Sequence, residues 1–392
     1  MQLIVQLKTK DLLRLDHPSI TVTAAGVSKT YDARAGEQVV RAKNDLIVEG
    51  PQKARATYRG ELHIKPHGDS VRLLLHTDLD DYVSGVLQSE VPAFYKLEAM
   101  KAQTVVARTY GLHPRLTHED GANVCDSYLH CQAFYGVTPL NAMQQNAITS
   151  TAGEIVQYRG GPALAMFSAC AGGHTENYED AFSDPVTNAF PPPAIPYLNG
   201  VAEGGKLPSG FPDEAAMRKL YAEEHPDFAD SWSAAHWKWR VVFTADQLES
   251  HMHHVVDELQ KDAQFAPFIK PPSSGKFGHI KGLEVTRRGG AGTAMNLHVQ
   301  TSEGTWTISK ELTIRSAFAN PEVKLKRLRS ARCFFDFEHD KLGLIAKLTV
   351  SGFGSGHGVG MQQVGAQGWA QRGWDYKQIC DHYFPGCIIA RA

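Results

Sequence analysis

Hydrophobic and polar residues alternate through much of the first 78 positions, as in Glu61-Leu62-His63-Ile64 and Ser70-Val71-Arg72-Leu73-Leu74-Leu75. That period of two, broken by Gly- and Pro-bearing turns, predicts strands. The pattern then changes. In Leu79-Asp80-Asp81-Tyr82-Val83-Ser84-Gly85-Val86-Leu87-Gln88-Ser89-Glu90, positions Val83, Leu87 and Glu90 fall at i, i+4 and i+7 of a helix. Asp80 or Asp81 is suited to cap it, and Pro92 forces an exit from helical geometry. A second helix is predicted from Leu97 to Tyr110, with Ala99, Ala102, Val106 and Tyr110 on one stripe and Lys101, Thr104 and Arg108 on another.

Further on, 117–136 reads as an irregular connection, 139–152 as a helix, and strands flank the turn Arg159-Gly160-Gly161-Pro162. From Pro185 to Pro212 the chain is rich in Pro and Gly, which predicts an exposed excursion. Helices are expected at Asp213–Glu223 and Thr244–Lys261. The latter opens on the capping box Thr244-Ala245-Asp246-Gln247 and buries Leu248, Met252, Val255 and Leu259. Residues 279–315 return to strands, and no internal repeat is visible. The expected fold class is α+β, a mixed strand-rich core with a helical catalytic segment. Its expected parts are a strand-rich region at 1–78 and a larger one at 79–392, carrying a Pro-rich and helical insertion at about 185–275.

Composition narrows the function classes. The chain has 392 residues, 42% of them hydrophobic, with 40 basic against 42 acidic side chains. This balance disfavours an electrostatic nucleic-acid partner, and no apolar run reaches the length of a membrane span. Met1 to Lys8 is too short and too polar for a signal peptide, so the start is expected to be trimmed. Of six cysteines, Cys380 and Cys387 are spaced to pair in an oxidising compartment, whereas Cys170 and Cys333 read as buried thiols. His251, His253 and His254 read as a solvated helix face.

Two constellations carry chemistry. Glu90 on an apolar helix face would have its ionised form disfavoured, as a general acid requires near neutral pH. His118-Glu119-Asp120-Gly121-Ala122-Asn123-Val124-Cys125, followed by His130-Cys131, supplies thiolates and imidazoles that suit tetrahedral zinc. His118, Cys125 and Cys131 are the expected ligands, with His130 or water as the fourth. The same residues admit a cysteine peptidase reading, although adjacent His130 and Cys131 are poorly placed for it.

The run DDYVSGVLQSEVP…LEAMKAQTVVARTY resembles the signature of the SpoIID/LytB family, the stage II sporulation protein D and amidase-enhancer proteins of bacterial cell walls. The resemblance continues through Val124–Gly136, Thr151–Tyr158 with Met166–Thr175, and Gly354–Ala366 closing with His382–Gly386. It implies a lytic transglycosylase acting on peptidoglycan glycan strands stripped of stem peptides, cleaving between N-acetylmuramic acid and N-acetylglucosamine. Under this reading Glu90 is the single general acid/base, and Lys101, Gln103, Arg108 and Tyr110 orient sugar or lactyl groups. Ser168, Gly172, Gly173 and Thr175 would form a loop approaching the glycan. A helix starting near Met361 would present Gln362 and Gln363 in its first turn, with His357 beside the sugar or beside Glu90. Zinc would brace its loop rather than catalyse. The family also implies export to the periplasm or cell wall, a role in sporulation, division or remodelling, and a cell-wall amidase as partner. The alternative function is a non-catalytic glycan-binding amidase enhancer.

Overall fold

The computed structural model describes residues 2–7, 19–32, 36–41, 45–49, 55–67, 70–114, 118, 121–128 and 130–392. Of Met1 to Lys8, read above as too polar for a signal peptide, Met1 and Lys8 lie outside them. The chain forms two compact units, one of residues 1–165, 373–381 and 386–392, the other of 166–372 and 382–385.

In the first unit the predicted alternation is realised. A five-stranded sheet runs Gln38–Arg41, Glu61–His67, Ser70–Asp78, Gln2–Leu7, Val124–Cys125, and a four-stranded one runs Val27–Asp32, Ser19–Ala24, Leu46–Glu49, Arg55–Tyr58. Their inward side chains, among them Leu3, Val5, Ile20, Val22, Leu46, Val48, Leu62 and Ile64, join one core with Tyr82, Val83 and Val86. These last three come from helix α1, Leu79–Glu90. The expected boundary at residue 78 is therefore absent: strand Ser70–Asp78 leads into α1, and both bury the same core. Gln2–Leu7 also pairs in parallel with Val124–Cys125, tying the start of the chain to a segment beyond the helices.

Asp78, not Asp80 or Asp81, occupies the cap position of α1; the other two aspartates lie in its first turn, where negative charge suits the helix dipole. The helix stops at Val91, which takes the extended backbone that a following proline demands. Helix α2 runs Leu97–Leu112 and is buried over nearly its whole circumference from Ala99 to Gly111, so its second, basic stripe is not a solvent face. Helix α3, Ala142–Ser150, starts on a capping box between Asn141 and Gln144.

The second unit contains a sheet of Lys238–Thr244, Ile345–Phe353 and Cys333–His339, and another of Ile269–Lys270, Gly304–Ser309, Ala294–Thr301 and Ile280–Arg288. Helix Ala245–Lys261 keeps its predicted capping box and packs Leu248, Met252 and Val256 into the core, while Val255 is half-buried. The insertion expected at 185–275 contains one strand of a sheet completed from outside it. Lys238–Thr244 pairs along its length with Ile345–Phe353, which makes the segment part of the unit's own sheet.

One glycine decides how closely α1 meets the chain after it. A Cβ on Gly85 would lie 2.4 Å from the Phe134 ring and 2.5 Å from the Gly136 carbonyl oxygen. The ring can shift but the backbone carbonyl has nowhere to go. Alanine ordinarily stabilises a helix by about 1 kcal/mol relative to glycine, whereas overpacking costs about 1–3 kcal/mol. Gly85→Ala is therefore expected to lower the thermal unfolding midpoint. Gly161→Ala, at a position with no neighbouring atom within 4 Å, should leave it unchanged.

Candidate active site

The last turn of α1 places three consecutive side chains on one stretch of backbone. The Gln88 amide donates to the Thr138 carbonyl (3.0 Å) and accepts from the Thr138 N–H (3.0 Å). Ser89 Oγ accepts from the Tyr135 N–H at 3.1 Å. Glu90 Oε1 accepts from the Ala133 N–H at 2.7 Å. Val83 and Leu87 are buried as the spacing predicts, but Glu90 itself is half-buried, at the rim of the apolar face. The carboxyl is thus held in one orientation and still within reach of solvent.

The chain just before Ala133 is equally fixed. Gln132 is buried and donates to Tyr82 Oη (2.8 Å) and to the Ala107 carbonyl (3.2 Å), linking it to both α1 and α2. Next to it stands the sulfur and imidazole cluster. His130 Nδ1 lies 3.8 Å from Cys125 Sγ and 3.4 Å from Cys131 Sγ, and His118 Nε2 lies 3.5 Å from Cys131 Sγ. All four donor atoms fall within 4.8 Å of one another. Ligands at tetrahedral angles around zinc, with bonds of about 2.0–2.3 Å, are separated by roughly 3.3–3.8 Å. These three separations match that figure, and the others, within 4.8 Å, need only a small inward shift for His130 to serve as the fourth donor. The Cys131 thiol, and after it His130, hold the Cys125 thiol down to about 4 against the opposing effect of burial. The thiolate is the metal-binding form. A nucleophile needs access as well, and Cys125 is fully buried, which counts against Cys125 as a peptidase nucleophile. Glu119 and Asp120 lie outside the described residues.

The other predicted site residues of this unit are engaged elsewhere. Lys101 Nζ pairs with Glu98 (2.7 Å) and sits 5.6 Å from the Tyr376 ring. Arg108 is fully buried: it donates to Asp80 at 3.0 Å and to the carbonyls of Thr151 and Glu154, each at 3.0 Å. It is a clamp between helices and strand, not a group able to orient a sugar. Tyr110 is also packed inside. Gln103 is buried with neither end of its amide hydrogen-bonded among the described residues. Cys380 and Cys387, whose spacing would allow a pair in an oxidising compartment, are both free thiols.

In the second unit, Ser168, Gly172, Gly173, Thr175, Gln362 and Gln363 are all buried, so their expected contact with a glycan is replaced by contact with protein. Ser168 Oγ donates to the Ser355 carbonyl and accepts from the Gly358 N–H, both at 3.1 Å. Cys170 and Ser355 exchange backbone hydrogen bonds. A Cβ on Gly172 would stand 2.8 Å from the Gly354 nitrogen, so the glycines let two backbones meet. Thr175 Oγ1 accepts from Val201 N–H (2.7 Å), and the Gln362 amide donates to the Gly360 carbonyl (3.0 Å). Met361–Gln362 is a strand beside Phe167–Ser168, and the helix starts only at Gln363. His357 accepts the Val359 N–H at Nδ1 (3.1 Å) and meets the Phe182 ring edge-on. Burial pushes its imidazole down to about 4, so it is neutral near pH 7.

Residues 67–158 match the family described as Stage II sporulation protein. Three relatives extend the likeness across most of the chain. Stage II sporulation protein D of Bacillus subtilis is 25% identical over 378 residues, 92% of this chain and 89% of that protein. The amidase enhancer of Bacillus subtilis is 28% identical over 310 residues, covering 78% of this chain but 40% of the longer relative. An uncharacterised protein of Brachyspira hyodysenteriae is 28% identical over 333 residues, 85% and 72% of the two chains. The matched domain and the names of these relatives support the SpoIID/LytB family. Residues 184–360, most of the second unit, match a domain of unknown function, so the SpoIID match covers only α1, α2 and their surroundings.

Sequence reasoning missed Gln88, Ser89 and Gln132, which hold the site together. The one signal was their position beside Glu90 and Cys131.

The clamp reading of Arg108 sets a stability difference. Arg108→Met strands two carbonyls, each worth about 1–3 kcal/mol when left unsatisfied. Asp80→Asn removes the charge that faces a fully buried guanidinium but keeps an acceptor oxygen and both carbonyl bonds, so its cost is about 1–2 kcal/mol. Denaturant unfolding should therefore show a loss of about 3 kcal/mol or more for the first and a smaller loss for the second.

Proposed function

We propose that this chain is an exported peptidoglycan lytic transglycosylase whose general acid/base is Glu90. The observation that carries the reading is the 2.7 Å hydrogen bond from the Ala133 N–H, which fixes one carboxylate oxygen of a half-buried glutamate. Because Oε1 faces a donor, the transferable proton sits on Oε2. That proton passes to the glycosidic oxygen as the bond between N-acetylmuramic acid and N-acetylglucosamine breaks. The carboxylate then takes the proton of the muramic 6-hydroxyl as it attacks the anomeric carbon, giving a 1,6-anhydro end. Glu90 begins and ends the cycle protonated and no water is consumed. Enzymes that hydrolyse the bond need a second carboxylate for attack or for activating water. This scheme needs one.

His118, Cys125, His130 and Cys131 would hold zinc, which in this position supplies a brace. The reason is the short path along the chain: Cys131 is followed by Gln132 and then by Ala133, whose amide holds Glu90. A locked cluster keeps that amide aimed at the carboxyl.

The second reading, a glycan-binding enhancer of a cell-wall amidase, is favoured by the name of the Bacillus subtilis relative. It is supported too by the burial of most other expected substrate contacts. The two readings part on the product.

Mass analysis of denuded glycan strands should show 1,6-anhydromuramic ends with the wild type. For Glu90→Gln the yield is expected to fall by about 10²–10⁴-fold, with folding and metal content unchanged. Cleavage undiminished by this substitution would sink the assignment, and no cleavage by either protein would favour the enhancer. Elemental analysis of the purified chain is expected to find one zinc. Cys125→Ser should lose it, with a lower unfolding midpoint and weaker cleavage; full retention of stability would argue against a brace.

A further inference from the structure

The second unit holds an open cleft of about 510 Å³ that none of the expected site residues lines. Its size falls in the ~300–1,000 Å³ range of small-molecule sites. Its walls are aromatic and its rim is polar. Phe228 and Trp237 stand with ring centroids 5.4 Å apart at the back, and Trp232 lies at the opening, 39% exposed. The Trp232 indole N–H donates to the Val364 carbonyl at 2.9 Å, so the ring is fixed although part of it faces water.

The rim groups suit hydroxyl and amide ligands. Arg372 is held by the carbonyls of Asp227 (2.8 Å) and Pro226 (3.3 Å) and lies 5.3 Å from the Trp369 ring. Those two bonds use only part of the five N–H donors of a guanidinium. His225 donates through Nε2 to the Leu220 carbonyl (2.8 Å), which makes Nδ1 its acceptor nitrogen. Glu224 and Gln371 add an acceptor and an amide.

The back wall is preorganised. The Ala229 N–H donates to the Glu203 carbonyl and the Glu203 N–H to the Gly173 carbonyl. Buried Asp230 accepts the Gly173 N–H at 3.0 Å. The segment bearing Phe228 and Trp232 is thereby fastened to the loop behind it, so binding would order little further chain.

From this combination of a fixed, part-exposed indole with mixed donors and acceptors, we infer that the cleft is a saccharide-binding site distinct from Glu90. A sugar ring presents an apolar C–H face to an aromatic and a girdle of hydroxyls to its rim. The opposed charges of Arg372 and Glu224 disfavour a polyanion. The choice of an N-acetylated amino sugar as ligand rests on the proposed function; the aromatic cleft does not.

The test is titration of the full chain with a β-1,4-linked N-acetylglucosamine tetramer, followed by calorimetry. Trp232→Ala should weaken binding at least ~10-fold, about 1.4 kcal/mol. Trp232→Phe should retain most of it and controls for folding, and Glu90→Gln should bind as wild type. Equal binding by wild type and Trp232→Ala, or no binding by wild type, overturns the inference. If either result comes with intact formation of anhydro ends, the cleft assignment fails and the role of Glu90 stands. With Trp232-dependent binding but no anhydro ends from the wild type, the cleft assignment stands and the role of Glu90 fails.

Discussion

The attachment of the 133–138 segment to the end of α1 is the constraint on which the candidate site depends. Successive residues of a helix point about 100° apart, so Gln88, Ser89 and Glu90 cannot address one straight strand. They can all be satisfied only by a chain that wraps across the helix end, and residues 133–138 do so. Each hydrogen bond contributes on the order of 1 kcal/mol net. Their joint effect is geometric, because four bonds from one turn leave the segment a single register. Gly85 makes the approach possible, and Phe134, packed between Tyr82 and Tyr58, seals it.

This arrangement also gives a reason for a cluster able to hold a metal to stand in the chain just before the segment that holds Glu90. The Ala133 amide is useful only if the chain before it is rigid. A loop closed by Cys125, His130 and Cys131 on one side and Gln132 on the other has little freedom left. Metal binding by such a cluster would contribute directly to folding free energy. Rigidity and chemistry are then coupled through two peptide units, with no need for the metal to touch the substrate.

Much of this was legible in the amino-acid order, and the failures have definite causes. The alternation in residues 1–78 and the spacing of Val83 and Leu87 reported strands and a helix face because each depends on local periodicity. The role of Arg108 at a sugar was carried over from the family resemblance and not from local pattern; α2 is enclosed on almost every side, and its arginine serves Asp80 and two backbone carbonyls. The continuity across residue 78 and the sheet partner of 238–244 were not legible because pairings such as Gln6 with Cys125, or Lys238 with Phe353, connect distant stretches of chain. No local window contains them.

Glycine-rich motifs were the most misleading signal, and the second unit shows why. The loop Gly289-Gly290-Ala291-Gly292-Thr293 offers backbone N–H groups in the manner of an anion site. Its anions come from the protein itself: Glu176 accepts from Ala291 (2.9 Å) and Thr293 (3.1 Å), and Asp180 accepts from Gly290 (2.9 Å). Gly172 and Gly354 likewise permit contact between two protein backbones. A glycine cluster reports that something must approach the backbone closely, and it is silent on whether that partner is a ligand or another strand of the same chain. In this protein the groups best placed to act on a ligand are a carboxyl on a helix end and an indole at a cleft mouth, and neither lies within a glycine-rich motif.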